Sequence, residues 1–104
     1  MSQPSQDEIA FKLAVLHELL PRCESQMFWL RQQFDQWSVR LFRERGAEHT
    51  FARSSCPVLV DVLSSRLRII YSLYQMYDRY RLKITGCLTE LEQLLEEDTH
   101  PAEF

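Results

Sequence analysis

The sequence predicts an all-α protein, an antiparallel hairpin of two long helices, and three observations carry that prediction. An apolar residue falls every three or four positions from Ile9 to Leu41 without a miss: Ile9, Leu13, Leu16, Leu20, Cys23, Met27, Leu30, Phe34, Trp37, Leu41. A second series fills the other half: Leu59, Leu63, Arg66, Ile70, Leu73, Tyr77, Tyr80, Ile84, Cys87, Leu91, Leu94, with Arg66 its single polar break. The alternating 4-3 step is the heptad pattern of a helix pressed along its length against another helix. Third, two glycines and four prolines in 104 residues leave few turns, which argues against an all-β fold.

The first helix opens at Ser5-Gln6-Asp7-Glu8, a capping box in which the Ser5 hydroxyl takes the Glu8 amide and Glu8 returns the bond. It is expected over residues 6–45, stopping at Gly46. Pro21 stands against it, because an interior proline deletes the bond to the carbonyl four residues back and crowds that turn, at about 3 kcal/mol. The 4-3 phase nevertheless passes from Leu16 to Met27 without a slip, which favours one helix kinked at Pro21. The alternative is a break at Pro21 and a three-helix bundle. Residues 46–56 form a loop ending in Ser54-Ser55-Cys56-Pro57, a hydroxyl cap and a first-turn proline for a second helix over 57–97. An acidic tail, 98–104, completes a single helical domain over 1–104.

Helices of about 40 residues are each roughly 60 Å long. Joined by one short loop they lie antiparallel. With the turn centred near Phe51, Phe34 and Trp37 fall beside Ser65 to Ile70, and Leu13 and Leu16 face the Gly86–Thr89 region.

A two-helix hairpin needs one narrow apolar stripe per helix, and this chain has more. Met27, Phe28, Trp29 and Leu30 are consecutive, so they point around the whole helix. Tyr71, Leu73, Tyr74, Met76, Tyr77 and Tyr80 do much the same on the second helix, and Leu67, Tyr74, Leu88 and Leu95 add a stripe flanking its seam. Left in water, such a patch has the character of a binding surface, and aromatics with a polar edge are its usual anchors. The candidate interface is therefore Phe28, Trp29, Tyr71 and Tyr74 as anchors, Leu67 and Leu88 beside them, and Arg66 and Arg68 among the basic groups at the rim. Its occupant is a protein: a second copy completing a four-helix bundle, or a different helical subunit.

Charge fits this picture. No Lys or Arg follows Lys83, whereas Glu90, Glu92, Glu96, Glu97, Asp98 and Glu103 do; Arg40, Arg43, Arg45 and Arg53 crowd the loop end. Two copies packed head to tail would bring unlike ends together. Arg66, on the seam, is expected either to reach solvent or to pair with Asp35. Ten arginines against two lysines suit carboxylate pairing at partly buried contacts.

Composition and motif content narrow the chemistry. The net charge of −3 implies neither nucleic-acid nor membrane binding by itself. Cys23, Cys56 and Cys87 have no metal or redox spacing, and Cys23 and Cys87 read as small core residues. His17, His49 and His100 form no zinc pattern, and there is no phosphate loop or serine nucleophile motif. No enzyme activity, cofactor or metal is expected. An odd number of thiols, no basic-apolar leader at the N-terminus and no run of about 18 apolar residues lead to an expected intracellular home, cytoplasmic or nuclear. The leading reading is a non-catalytic protein-protein interaction or scaffold subunit. The alternatives are single-stranded nucleic-acid binding through the basic, tyrosine-rich segment 66–83 and peripheral membrane binding.

Overall fold

The computed structural model describes residues 5–47 and 56–99, less the side chains of residues 47, 98 and 99. They form two helices, α1 (Gln6–Ala47) and α2 (Pro57–Thr99), packed against each other as a hairpin. Pro21 lies inside α1, which runs through it unbroken. The described residues thus hold two helices and not the three of a bundle broken at Pro21. No described helix is long and apolar enough to cross a membrane.

The ends follow from local chemistry. The Glu8 amide donates to the Ser5 hydroxyl oxygen at 3.2 Å, the first arm of the expected capping box. The C-terminus of α1 lies past Gly46, at Ala47: a methyl group at Gly46 would meet nothing within 4 Å, and the last turn of a helix commonly frays past a weak stop. Ser54 and Ser55, the expected caps of α2, lie outside the described residues. The Cys56 amide at the start of α2 instead donates to the Glu44 carboxylate at 2.9 Å. A carboxylate from the last turns of α1 thereby meets the positive end of α2, a charge-assisted contact.

The packing falls into two compact units, one made of the described residues of Met1–Ser25 and Asp78–Phe104, the other of Gln26–Tyr77. In the first, Ile9, Leu13 and Leu88 are buried together, with Leu16, Leu20, Ile84, Leu91 and Leu95 packed against them. His17 and Glu92 approach across the helices at 3.5 Å, so the imidazole faces a carboxylate of α2. In the second, Met27, Leu30, Leu41, Leu63 and Ile70 are buried, and Phe34 meets Tyr71 with ring centroids 6.4 Å apart. Leu13 beside Leu88, Phe34 beside Tyr71 and Trp37 beside Arg66 all lie within a turn of the pairing expected from the sequence.

The α1 seam is the expected one. On α2 the seam is turned by one flank. The side chains facing α1 are Val60, Leu63, Leu67, Ile70, Tyr74, Tyr77, Arg81, Ile84, Leu88, Leu91 and Leu95, all buried or half-buried. Leu59, Arg66, Leu73, Tyr80, Cys87 and Leu94, read from periodicity as seam residues, are exposed. Both sets keep the heptad step, and they share Leu63, Ile70, Tyr77, Ile84 and Leu91. Cys87 is accordingly a surface thiol and not a core residue. Cys23 is buried.

Candidate interaction surface

The displaced residues form a second stripe. Leu59, Val62, Arg66, Ile69, Leu73, Met76, Tyr80, Lys83, Cys87, Glu90 and Leu94 recur in steps of three and four along one helix, beside the seam but outside it. Among them Val62, Ile69, Tyr80 and Cys87 are exposed, and Ile69 leaves 60 % of its surface in water. Each of two adjacent heptad stripes on a helix has the spacing to seat another helix. Within the described residues α1 supplies one.

In the Gln26–Tyr77 unit this stripe borders an open groove of about 410 Å³, lined by Trp29, Leu30, Gln33, Trp37, Arg66, Ile69, Ile70 and Leu73. A shallower depression of about 330 Å³ continues over Arg68, Ile69, Ser72, Leu73 and Met76. No carboxylate lines either. Arg66 lies over the Trp37 ring with its guanidinium carbon 4.1 Å from the centroid, and Arg40 lies 4.5 Å from the same centroid. The Trp37 indole N–H donates to Gln33 at 3.3 Å, which fixes the ring as a platform. Arg66 is therefore stacked on Trp37, and the ion pair with Asp35 expected from the sequence is not formed. Stacking occupies the face of the guanidinium and leaves its edge N–H groups open to a carboxylate.

A second groove of about 460 Å³ in the same unit is lined by Leu30, Arg31, Phe34, Asp35, Ile70, Tyr71 and Tyr74. Leu30 and Ile70 line both grooves and are buried, Leu30 to 3 % exposure. Each groove thus has a firm apolar floor.

The candidate residues named from sequence are divided by this geometry. Trp29, 53 % exposed, and Arg66 line the first groove, and Arg68 the shallower one. Tyr71 and Tyr74 line the second groove. Phe28 is 65 % exposed and lines none of these three. Leu67 is half-buried on the seam, and Leu88 is buried in the core of the first unit, 6 % exposed. Both are explained by contacts within the chain. Sequence reasoning missed Ile69 and Val62, and named Met76 only within the aromatic cluster. Their signal was present as a further 3-4 series on α2, hidden because it was partly assigned to the seam.

Within segment 66–83, Tyr74 and Tyr77 are half-buried on the seam. The Arg81 guanidinium donates twice to Asp78, at 3.1 and 2.7 Å. Among the described residues no three His, Cys, Asp or Glu side chains cluster to hold a metal ion. None of the three cysteines is in a disulfide.

Burial pushes the Cys23 thiol above its ordinary 9.0, opposed by the nearby Arg81 guanidinium. Alkylation near pH 8 is expected to label exposed Cys56 at least about tenfold faster than Cys23, because the reactive thiolate is both scarce and covered at Cys23. Below 9.0 both folded and unfolded chains keep this thiol protonated. Above it the unfolded chain ionises first, so the contribution of Cys23 to stability falls as pH rises through and beyond 9.0. Equal labelling rates measured by mass spectrometry would contradict the burial.

Compared with protein families, with curated proteins and with solved structures, the chain matches none.

Proposed function

We propose that the chain is a non-catalytic interaction or scaffold subunit: a helical hairpin that assembles with another helical chain, a second copy or a different subunit, to complete a four-helix bundle. The observation that supports this reading is the pair of heptad stripes on α2, one buried against α1 and one open beside the groove at Trp29, Ile69 and Leu73. Exposed apolar residues continue over the rest of the hairpin surface, Phe11, Phe28, Phe42 and Leu82 among them, more than scattered surface hydrophobics account for. Three cysteines outside any disulfide suit a reducing compartment, so the reading carries an intracellular location, cytoplasmic or nuclear.

The test is Trp29→Ala. A large, half-exposed indole on a groove edge is the type of side chain that dominates binding energy. Its removal is expected to weaken the assembly by about 2 kcal/mol or more, roughly 30-fold in Kd. Mass measurement across a dilution series reads self-assembly, and co-purification with a candidate helical subunit reads mixed assembly. An assembly unchanged by the substitution, or a well-behaved chain that forms neither kind, would overturn the reading.

A further inference from the structure

The outer stripe of α2 contains one carboxylate, Glu90, and its basic break nearest the grooves is Arg66. Both are exposed, and neither forms a salt bridge with a described side chain. Their surroundings are opposite in sign. Arg66 borders grooves lined with Arg68 and no acid, whereas Glu90 stands in a stretch of α2 with Glu92, Glu96 and Glu97 and no basic residue after Lys83.

We infer that the partner on this stripe is a second copy of the same chain, α2 laid antiparallel on α2 about a two-fold axis, with Arg66 of each copy on Glu90 of the other. The inference rests on the interaction reading above and names its partner. One antiparallel register satisfies the stripe along its length: it sets Arg66 against Glu90, Val62 against Leu94 and Ile69 against Cys87, each contact occurring twice by symmetry. Nearer the axis, Met76 meets Tyr80, and the Lys83 stem covers Leu73 with its ammonium group directed outward. Trp29, on the edge of the groove that holds Ile69 and Leu73, borders the same contact. A parallel arrangement would set Arg66 on Arg66 and Glu90 on Glu90, so like-charge repulsion selects the antiparallel one. The edge of the guanidinium, free while its face rests on Trp37, is the donor that the Glu90 carboxylate requires.

The experiment is sedimentation equilibrium of the full chain, with Arg66→Glu, Glu90→Arg, the double exchange and Ile69→Glu, all checked for helicity by circular dichroism. The wild type is expected at twice the 12.4 kDa chain mass. Each single reversal should weaken the dimer about tenfold or more at low salt, because it creates two like-charge contacts, and the double exchange should return it to within about threefold of the wild type. Ile69→Glu, at an outward-facing position set against Cys87 and beside Glu90 of the other copy, should leave a folded monomer. Alkylation of Cys87 in the wild type should slow as protein concentration rises, whereas that of Cys56 should not. A wild type monomeric at all concentrations overturns the inference, as does a dimer indifferent to the charge exchange and to Ile69→Glu. If in either case Trp29→Ala still abolishes assembly with another helical chain, the interaction reading survives and the second copy does not. If no assembly of either kind forms, both fall.

Discussion

Leu88→Ala is expected to destabilise the chain by about 3 kcal/mol, within the range for emptying a well-packed leucine site. Leu88 is buried against Ile9 and Leu13, so truncation leaves a void that these two neighbours cannot close without moving backbone. In a domain of this size, 1 kcal/mol moves the thermal midpoint by roughly 4–8 °C, so the fall should exceed about 10 °C. The informative companion is Leu94→Ala on the outer stripe, measured at dilution so that self-association does not contribute. Leu94 keeps more than a third of its surface in water and should cost about 1 kcal/mol or less. If Leu94 proves as costly as Leu88, the seam is not where the structure puts it.

Pro21→Ala should act in the opposite direction. Pro21 lies inside α1, is exposed, and supplies no buried packing that alanine would forfeit. Alanine would restore an amide donor for the His17 carbonyl, relieve the crowding of the pyrrolidine ring and regain intrinsic helix preference. The gain is expected to approach 3 kcal/mol, read as a higher urea midpoint with an unchanged slope. A midpoint that stays put or drops would mean that Pro21 performs a structural task its exposure does not reveal. Most single substitutions destabilise, so a gain of this size would show local helix strain to be a leading cost in the fold.

The hairpin and the α1 seam were legible because periodicity and composition agree there. Ile9 to Leu41 offers one apolar series, and every member but Phe34 is buried or half-buried. The capping arm at Ser5 was equally plain. On α2 periodicity points two ways. Leu63, Ile70, Tyr77, Ile84 and Leu91 can be flanked by Leu67, Tyr74, Leu88 and Leu95 on one side or by Leu59, Leu73, Cys87 and Leu94 on the other. Each flank has one arginine, Arg81 or Arg66, so a single charge does not decide between them. The decision comes from α1, whose long-range complement no local pattern on α2 contains. Arg81 becomes tolerable on the inner flank because it is only half-buried and its guanidinium finds Asp78.

The aromatic cluster was found but not its division. Trp29 on α1 and Tyr71 on α2 both lie in the middle of the sequence pattern, yet they line different grooves that share only Leu30 and Ile70. Arg66 was read as either reaching solvent or pairing with Asp35; it is exposed, and the pair is not formed. The nearer partner was Trp37, an attraction that charge counting overlooks.

The two flanks of α2 offer α1 two alternative faces, related by a turn about the helix axis. Adjacent heptad positions are about 50° apart around the axis, so turning α2 by that amount would exchange Leu67, Tyr74 and Leu88 for Leu59, Leu73 and Cys87 against α1, with the shared residues still inside. The two rotational isomers differ in which leucines are dry rather than in how many helices touch. A partner that covers the outer stripe can bind only the isomer in which that stripe faces outward. Were both orientations populated, such a partner would favour the observed one by as much as it prefers it, and assembly would be coupled to the axial orientation of α2.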